Sequence, residues 1–503
     1  MADFDYSIFA LAQTLTKNES KKVSSFLKDM GTQHAILQLE LFETLRLSRS
    51  DDEENMKTRL RSTELLNYLS YHKDKLKDHI LSVLWSNDQG LIRQSQEISD
   101  TIDRCVILRH RGFGQKAIQE LDKVANKIDS DLFPELKLRA YSELSVMLRN
   151  SQNRLESDVL KNHTERILGL IQGMETSTRL LLMSERAYAL YSWYRRSGNS
   201  ELNDELTQIL EDPLLSHPPV DAGFMAIHRY YLALVFVNNI KGEQKKVIDS
   251  LEACRSEWLA HTAMLEAQPQ VYAGVVVNLL NLYLGEGEFE KFEDLHAETS
   301  KLHSNDRMHQ AEIQSRITCV WLLYLLNRKL STKVHELNDE FVRQIAVSEK
   351  IVSPNVILNL MYNFAILWYV SDEPQKASMW LKRIVASKFK VRYDLKGVAE
   401  ILLTLLTLDG DNPDYTLSAH RKIKRFYNMH RIENDLSEAV LNFLNVFAKA
   451  KSTKDELKAI ETLSEKLKSL ESSDLAIIGK NEVSFWTESR LTGKSIRSAW
   501  LAS

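Results

Sequence analysis

Three cysteines and fourteen histidines are the side chains best suited to nucleophilic or metal chemistry in this 503-residue chain, and their spacing assembles no site. Cys105, Cys254 and Cys319 stand far apart in stretches of helical character. Buried, reduced thiols are the expectation there, and not a disulfide framework or a C-x-x-C metal knuckle. His72 with His79, and His303 with His309, lack the further clustered ligands that complete a zinc site. The chain has no G-x-x-x-x-G-K-[S/T] loop to cradle phosphates, no G-x-G-x-x-G between strand and helix, and no H-E-x-x-H. Gly112-Phe113-Gly114 reads as a turn between helices. We therefore expect no catalytic residues, no cofactor and no metal.

Two sets of residues could instead do recognition chemistry. The first is polar and aromatic: Tyr191, Tyr230, Asn238, Asn281, Asn359, Tyr362 and Asn363, with Tyr188 and Tyr194 beside them. Amide and phenol groups on one helical surface can hydrogen-bond the backbone of an extended peptide without specifying its side chains. The same tyrosines can also pack between helices, and the asparagines can sit at solvated edges. The second set is basic. Over residues 382–431 eleven Lys and Arg oppose five Asp and Glu, with Lys382, Arg383, Arg421, Lys422 and Arg425 as the candidate face. Ala419, Ile423 and Phe426 form the apolar stripe of the helix carrying Arg421 to Arg425, which turns its charges outward. An acidic protein segment or nucleic acid could dock there; a merely solvated face is the competing description.

The elements that position these groups are helices. Only 16 Gly and 8 Pro occur in 503 residues, too few to punctuate an all-β chain. Paired amphipathic helices return about every forty residues from Ile98 to Leu470. The clearest pair has Met361, Phe364, Ala365 and Trp368 on one stripe, the turn Ser371-Asp372-Glu373-Pro374, then Ala377, Leu381 and Ile384 on a second. Its small residues, Ala365 and Ala377, fall where two helices cross, a spacing that resembles a tetratricopeptide repeat. First helices are expected near Ile98, Pro134, Thr178, Ala222, Pro269, Asp306, Pro354, Tyr393 and Glu433. The expected fold is thus all-α: an α-solenoid of about nine antiparallel helix pairs, tetratricopeptide-like with elongated helices. The long period also suits a HEAT-type array; the small-residue crossings favour the first description. Residues 1–95 break the phase and read as an N-terminal helical cap, 96–473 as the solenoid, and 474–503 as a C-terminal cap segment.

Other stretches resemble a known group. Thr14-Leu15-Thr16-Lys17-Asn18-Glu19-Ser20-Lys21-Lys22, the run from Tyr71 to Leu81, and Phe485-Trp486-Thr487-Glu488-Ser489-Arg490 resemble an uncharacterised, Bacteroidetes-type family of bacterial tetratricopeptide-like helical-repeat proteins. That resemblance implies the fold and carries no activity or site residues.

The net charge of −4 argues against a chain-wide polyanion surface. The opening MADFDYSIFALAQTL lacks the basic flank of a secretory signal, and no apolar run reaches the ~20 residues of a membrane span. A cytoplasmic chain is expected. The expected function is a non-catalytic adaptor or scaffold that holds a protein or extended peptide on its concave surface. The alternative is a DNA-associated regulator whose run from Tyr71 to Trp85 imitates a recognition helix. Residues 1–95 hold thirteen Lys and Arg against fourteen Asp and Glu, a poor footprint for nucleic acid.

Overall fold

The computed structural model describes residues 8–48, 54, 57–60, 62–87, 90–150, 157–197, 203–220, 222–349, 351–408, 412–432, 434–470 and 477–503. Among them are 25 α-helices, one 3-10 turn and no strand. The chain divides into two compact units, one of residues 3–191 and 202–268, the other of 192–201 and 269–503.

In the first unit, α1 (Ile8–Thr14), α2 (Lys17–Asp29), α3 (Gln33–Leu47), α4 (Thr63–Asn67) and α5 (Leu69–Asn87) come first. They close on one apolar cluster that includes Val23, Leu27, Leu41, Phe42, Leu65, Leu76 and Ile80. Thr16 starts α2 with a capping box, its hydroxyl accepting from Glu19 N while the Glu19 carboxylate accepts from Thr16 N. Then follow α6 (Leu91–His110), α7 (Gly114–Lys127), α8 (Pro134–Asn150), α9 (Ser157–Ser197), α10 (Asn203–Leu210), α11 (Phe224–Ile240), α12 (Gln244–Ala260) and α13 (Thr262–Ala267). The α9 helix runs unbroken for 41 residues, so no helix begins at Thr178. The sequence between residues 157 and 197 holds no Pro, and its one glycine pair, Gly169 and Gly173, does not stop it. Residues of α9 from 192 onward group with the second unit.

The second unit continues with α14 (Pro269–Gly285), α15 (Phe289–Thr299), α16 (Arg307–Asn327), α17 (Lys333–Ser348), α18 (Pro354–Tyr369), α19 (Pro374–Ala386), α20 (Tyr393–Thr407), α21 (Pro413–His430), α22 (Asp435–Phe447), α23 (Thr453–Ser469), α24 (Lys480–Thr492) and α25 (Ile496–Ala502). Each helix packs on the next in sequence, and first helices also pack on each other, α14 on α16, α16 on α18 and α18 on α20. This mostly sequential packing is that of a helical repeat. Observed starts at Pro134, Pro269, Arg307 after its Asp306 cap, Pro354 and Tyr393 agree with the expected ones to within a residue. Their signals are local: Pro is favoured in a first helical turn, and Asp306 accepts from His309 N at 2.8 Å.

Six helix pairs share one turn. Phe113 N bonds Leu108 O, Glu243 N Asn238 O, Glu288 N Tyr283 O, Leu330 N Leu325 O, Glu373 N Trp368 O and Ile432 N Tyr427 O, all at 2.8–3.3 Å. Such a bond reaching five residues back closes a helix C-terminus through one left-handed residue. That residue is Gly112, Gly242 or Gly287 in three turns, and Lys329, Asp372 or Arg431 in the other three. Four of them recur at 242, 287, 329 and 372, intervals close to the roughly forty residues of a long helix-pair repeat. Lys329 and Asp372 adopt φ of 58°, which costs a side-chain-bearing residue about 1 kcal/mol.

Ala365 on α18 and Ala377 on α19 are both fully buried, as the crossing requires. Ala377→Leu is therefore expected to overpack the pair and lower stability by about 1–3 kcal/mol in urea denaturation. An unchanged midpoint would show that the crossing has room to spare.

Candidate functional site

The face of α18 and α20 in the second unit carries a piece of the chain's own C-terminal region. The sequence of α18, PNVILNLMYNFAILWY, is apolar outside the stripe Asn355, Asn359 and Asn363, so a single partner helix cannot cover it. From Leu360 through Tyr369 every residue is buried. The α16, α17, α19 and α20 helices pack on it, and the segment 477–503 adds further cover. Tyr369 donates its hydroxyl to Glu482 O at 3.0 Å, across 113 positions of sequence. Gly479, with φ of 88°, starts α24 pressed so close to α20 that a Cβ there would stand 2.4 Å from Val398 Cγ1. Trp486 meets Phe443 of α22 edge-on at 5.7 Å. Arg490 lies over the Trp486 ring and donates to Leu408 O at 3.2 Å, satisfying a carbonyl at the end of α20.

The short α25 is held at both ends by two of the turn residues with positive φ. Asp372 Oδ1 accepts from Arg497 N at 3.0 Å, in the first turn of α25, and Lys329 Nζ donates to Leu501 O at 2.8 Å, in its last. An acid at the start and a cation at the end complement the helix dipole. Val483, Trp486, Thr487, Ala499 and Trp500 are the buried anchors of the segment. Between α20 and the segment a cleft of about 410 Å³ is left, lined by Leu405, Leu406, Trp486, Arg490 and Ile496.

Polar groups under the segment are imperfectly matched. The buried Tyr362 hydroxyl sits beside the Glu482 carboxyl yet makes no hydrogen bond of normal geometry. Burial first, then that carboxylate, holds the Tyr362 phenol well above its usual range. Burial likewise raises the Glu482 carboxyl above its usual value, against the opposing pull of its own backbone N–H and of Tyr362.

The candidate groove residues distribute as follows. In the first unit, Tyr191 stacks on Phe236 at 5.7 Å, Tyr230 is buried edge-on to Tyr231, and Asn238 is buried. In the second, Asn281 is exposed and folds back on Val277 O, and Asn359 accepts from Arg392. Asn363 is buried and donates to Cys319 O at 3.2 Å, tying α18 to α16. Tyr362 alone of these lies under the C-terminal segment. On the basic face, Arg383 pairs with Glu349 and covers Trp380, Lys422 pairs with Glu400 at 2.6 Å, and Arg421 bonds Leu417 O. Lys382 and Arg425 are exposed. Tyr369, Glu482, Gly479, Arg490, Lys329 and Asp372 join the C-terminal segment to the rest of the unit, and none of them was a candidate site residue in the sequence.

Among the described residues of the first unit, one Cys–His contact occurs. His228 and Cys254 are buried, with Cys254 Sγ 3.5 Å and Trp258 Nε1 3.1 Å from His228 Nδ1. The indole N–H donates to Nδ1, which places the imidazole proton on Nε2. Burial, then Arg229, pushes His228 down to about 4, and burial, then Glu257, pushes the Cys254 thiol up to about 12. Both groups are neutral, the reverse of a thiolate–imidazolium nucleophile. Among the described residues no three His, Cys, Asp or Glu converge as a metal would need, and no helix is long and apolar enough to cross a membrane. Compared with protein-family models, with curated proteins and with solved structures, the chain matches none. An all-helical chain packed in sequential pairs is what the coordinates establish.

Two outcomes follow. Asn363→Ala should cost about 0.5–1.5 kcal/mol of stability through the lost bond to Cys319 O, read in denaturant melts. For Glu482 the raised pKa means the docked segment holds its proton more tightly than the released one. Docking is then favoured below the usual 4.5 and weakens as pH climbs through the raised value. Glu482→Gln should melt higher than the parent chain at neutral pH, with the gap closing on acidification; a gap independent of pH would contradict this.

Proposed function

We propose that the protein is a non-catalytic adaptor or scaffold, a tetratricopeptide-like helical solenoid that holds a protein or peptide segment on the surface of its first helices. The observation that carries this reading is that the C-terminal end of a first helix and the turns after two first helices in the second unit already accommodate a segment through main-chain contacts, at Glu482 O, Leu501 O and Arg497 N. Recognition through backbone groups is how a repeat surface binds chain without requiring one sequence. The neutral, sealed His228–Cys254 pair supports a binding role over a nucleophilic one. On the basic face, the ion pairs of Arg383 and Lys422 with neighbouring helices support a solvated, self-neutralised surface. A family kinship with bacterial helical-repeat proteins fits the turn repeated at 242, 287, 329 and 372.

Affinity capture at low and high salt, followed by a hydrogen-exchange footprint of the retained molecule, tests the reading. The expected result is a salt-resistant protein partner protecting first helices. Charge reversal at Arg421, Lys422 and Arg425 should leave that binding within about threefold, because exposed charges mainly steer encounter and are screened. Nucleic acid retained only at low salt, and lost with the charge reversal, would overturn the proposal in favour of the basic face.

A further inference from the structure

We infer that the bundle α1–α5 is an acid-released part of the first unit, held shut by neutral His72 and opened by proton uptake there while the second unit stays folded. Three observations converge. The first is where the buried histidines lie. His72, His163 and His228 are buried and all belong to the first unit, whereas every histidine of the second is at least partly exposed. Imidazole ordinarily changes charge between about pH 5 and 8, so its burial ties the fold of the first unit to that range.

The second is the setting of His72 on α5. It is 1 % exposed, and its buried Nδ1 has no hydrogen-bond partner. His34 of α3 brings its ring to 5.7 Å, and Tyr71 meets it edge-on at 5.4 Å. In an imidazolium both ring nitrogens are donors, so a charged N–H would face no acceptor, beside a second imidazole. Burial, then His34, holds His72 below its usual 6.5, against the pull of Glu64 of α4, whose carboxylate accepts from Gln33 at 2.9 Å. The other helices packed on α5 add no acceptor for it. The α1 helix has no charged residue, α2 turns Phe26 toward His79, and Arg93 of α6 pairs with Glu97 of its own helix. His79 is also held low, by burial first, with Asp78 raising it and Lys75 lowering it. Its Nδ1 lies 2.8 Å from Gln38 Oε1, which accepts in the charged form too, so His79 opposes its proton less than His72 does.

The third is separability. The bundle closes on an apolar cluster of its own, which shares no residue with that of α6–α8. A group of helices with a separate core can open ahead of its neighbours. Burial holds His163 and His228 low as well, which makes the rest of the first unit the next to give way. Glu482 of the second unit has the opposite sign, since its docked form holds the proton more tightly. For His72 the released bundle binds the proton more tightly, so closure is complete above the usual 6.5 and is lost as pH falls below it.

The test is segment-resolved hydrogen exchange on the full chain at about pH 7.5 and about pH 5, corrected for intrinsic rates. One proton taken up per opening lowers protection by at most about tenfold per pH unit, so amides of α3 and α5 should lose roughly tenfold over this range and those of α14–α20 less than about twofold. His72→Gln should hold α3 and α5 within about twofold across the range, and His79→Gln should leave the loss in place. If His72→Gln already opens the bundle at neutral pH, the exposed position 34 decides. His34→Gln removes the neighbouring imidazole, lets the closed bundle accept the His72 proton more easily, and should shrink the loss to about threefold. An equal loss in the second unit would overturn the inference, as would a folded His72→Gln chain that responds to acid as the parent does, or a response abolished by His79→Gln.

Discussion

The constraint on which the second unit depends is that α18 is apolar around most of its circumference, with Asn355, Asn359 and Asn363 as its one polar stripe. A helix with one apolar stripe needs one neighbour, and two stacked pairs supply it. A helix so largely apolar needs cover on several sides, and α16, α17, α19 and α20 give most of it. Leu360 to Tyr369 are buried without interruption, and the chain returns to bring Glu482 of α24 against Tyr369 at the end of this stretch. The return sets everything else in this region. It draws Gly479 against Val398, it puts a carboxyl beside two tyrosine hydroxyls, and it recruits the turns at 329 and 372 as clamps.

Much of the array was legible in the sequence because its signals are local. Pro at a first turn, Asp306 as a cap, glycine in a closing turn and paired small residues at a crossing each act within a few residues of where they are read. The expected start at Thr178 failed for the same reason. Nothing within α9 except apolar periodicity argued for a break, and periodicity survives across a continuous 41-residue helix as well as across two shorter ones. The repeated turn was only partly visible: Gly112 and Asp372 stood in recognised turns, whereas Lys329 carries no turn signal of its own and the geometry alone places it in the set.

The candidate site was less legible, because what decides a polar residue's role is the covering of the helix that carries it, and covering is a long-range property. Asn359, Tyr362 and Asn363 share one stretch of α18, yet they meet Arg392, the C-terminal segment and Cys319 respectively. No spacing rule distinguishes these fates. One signal was available and unused: α18 is apolar except along Asn355, Asn359 and Asn363, so more of its surface calls for closure than one partner helix can give. Phe485-Trp486-Thr487, singled out only as a family-like motif, supplies part of that closure.

The energetic character of the closure bears on what the unit can do. Packing among α16, α18, α19 and α20 seals apolar side chains, and Gly397 lets the Tyr427 ring of α21 approach to where a Cβ would stand 2.7 Å away. Such interdigitation admits no substitute. The seam with α24 and α25 differs in kind. It joins through single backbone bonds, two tryptophans and an ionisable group whose charged form burial disfavours. Buried groups left short of partners cost more than their bonds would have contributed, and such groups lie both in the segment, at Arg497 Nε, and within the array, at Trp368 Nε1 and Trp380 Nε1, so the two differ in how they are joined and not in how fully their polar groups are met.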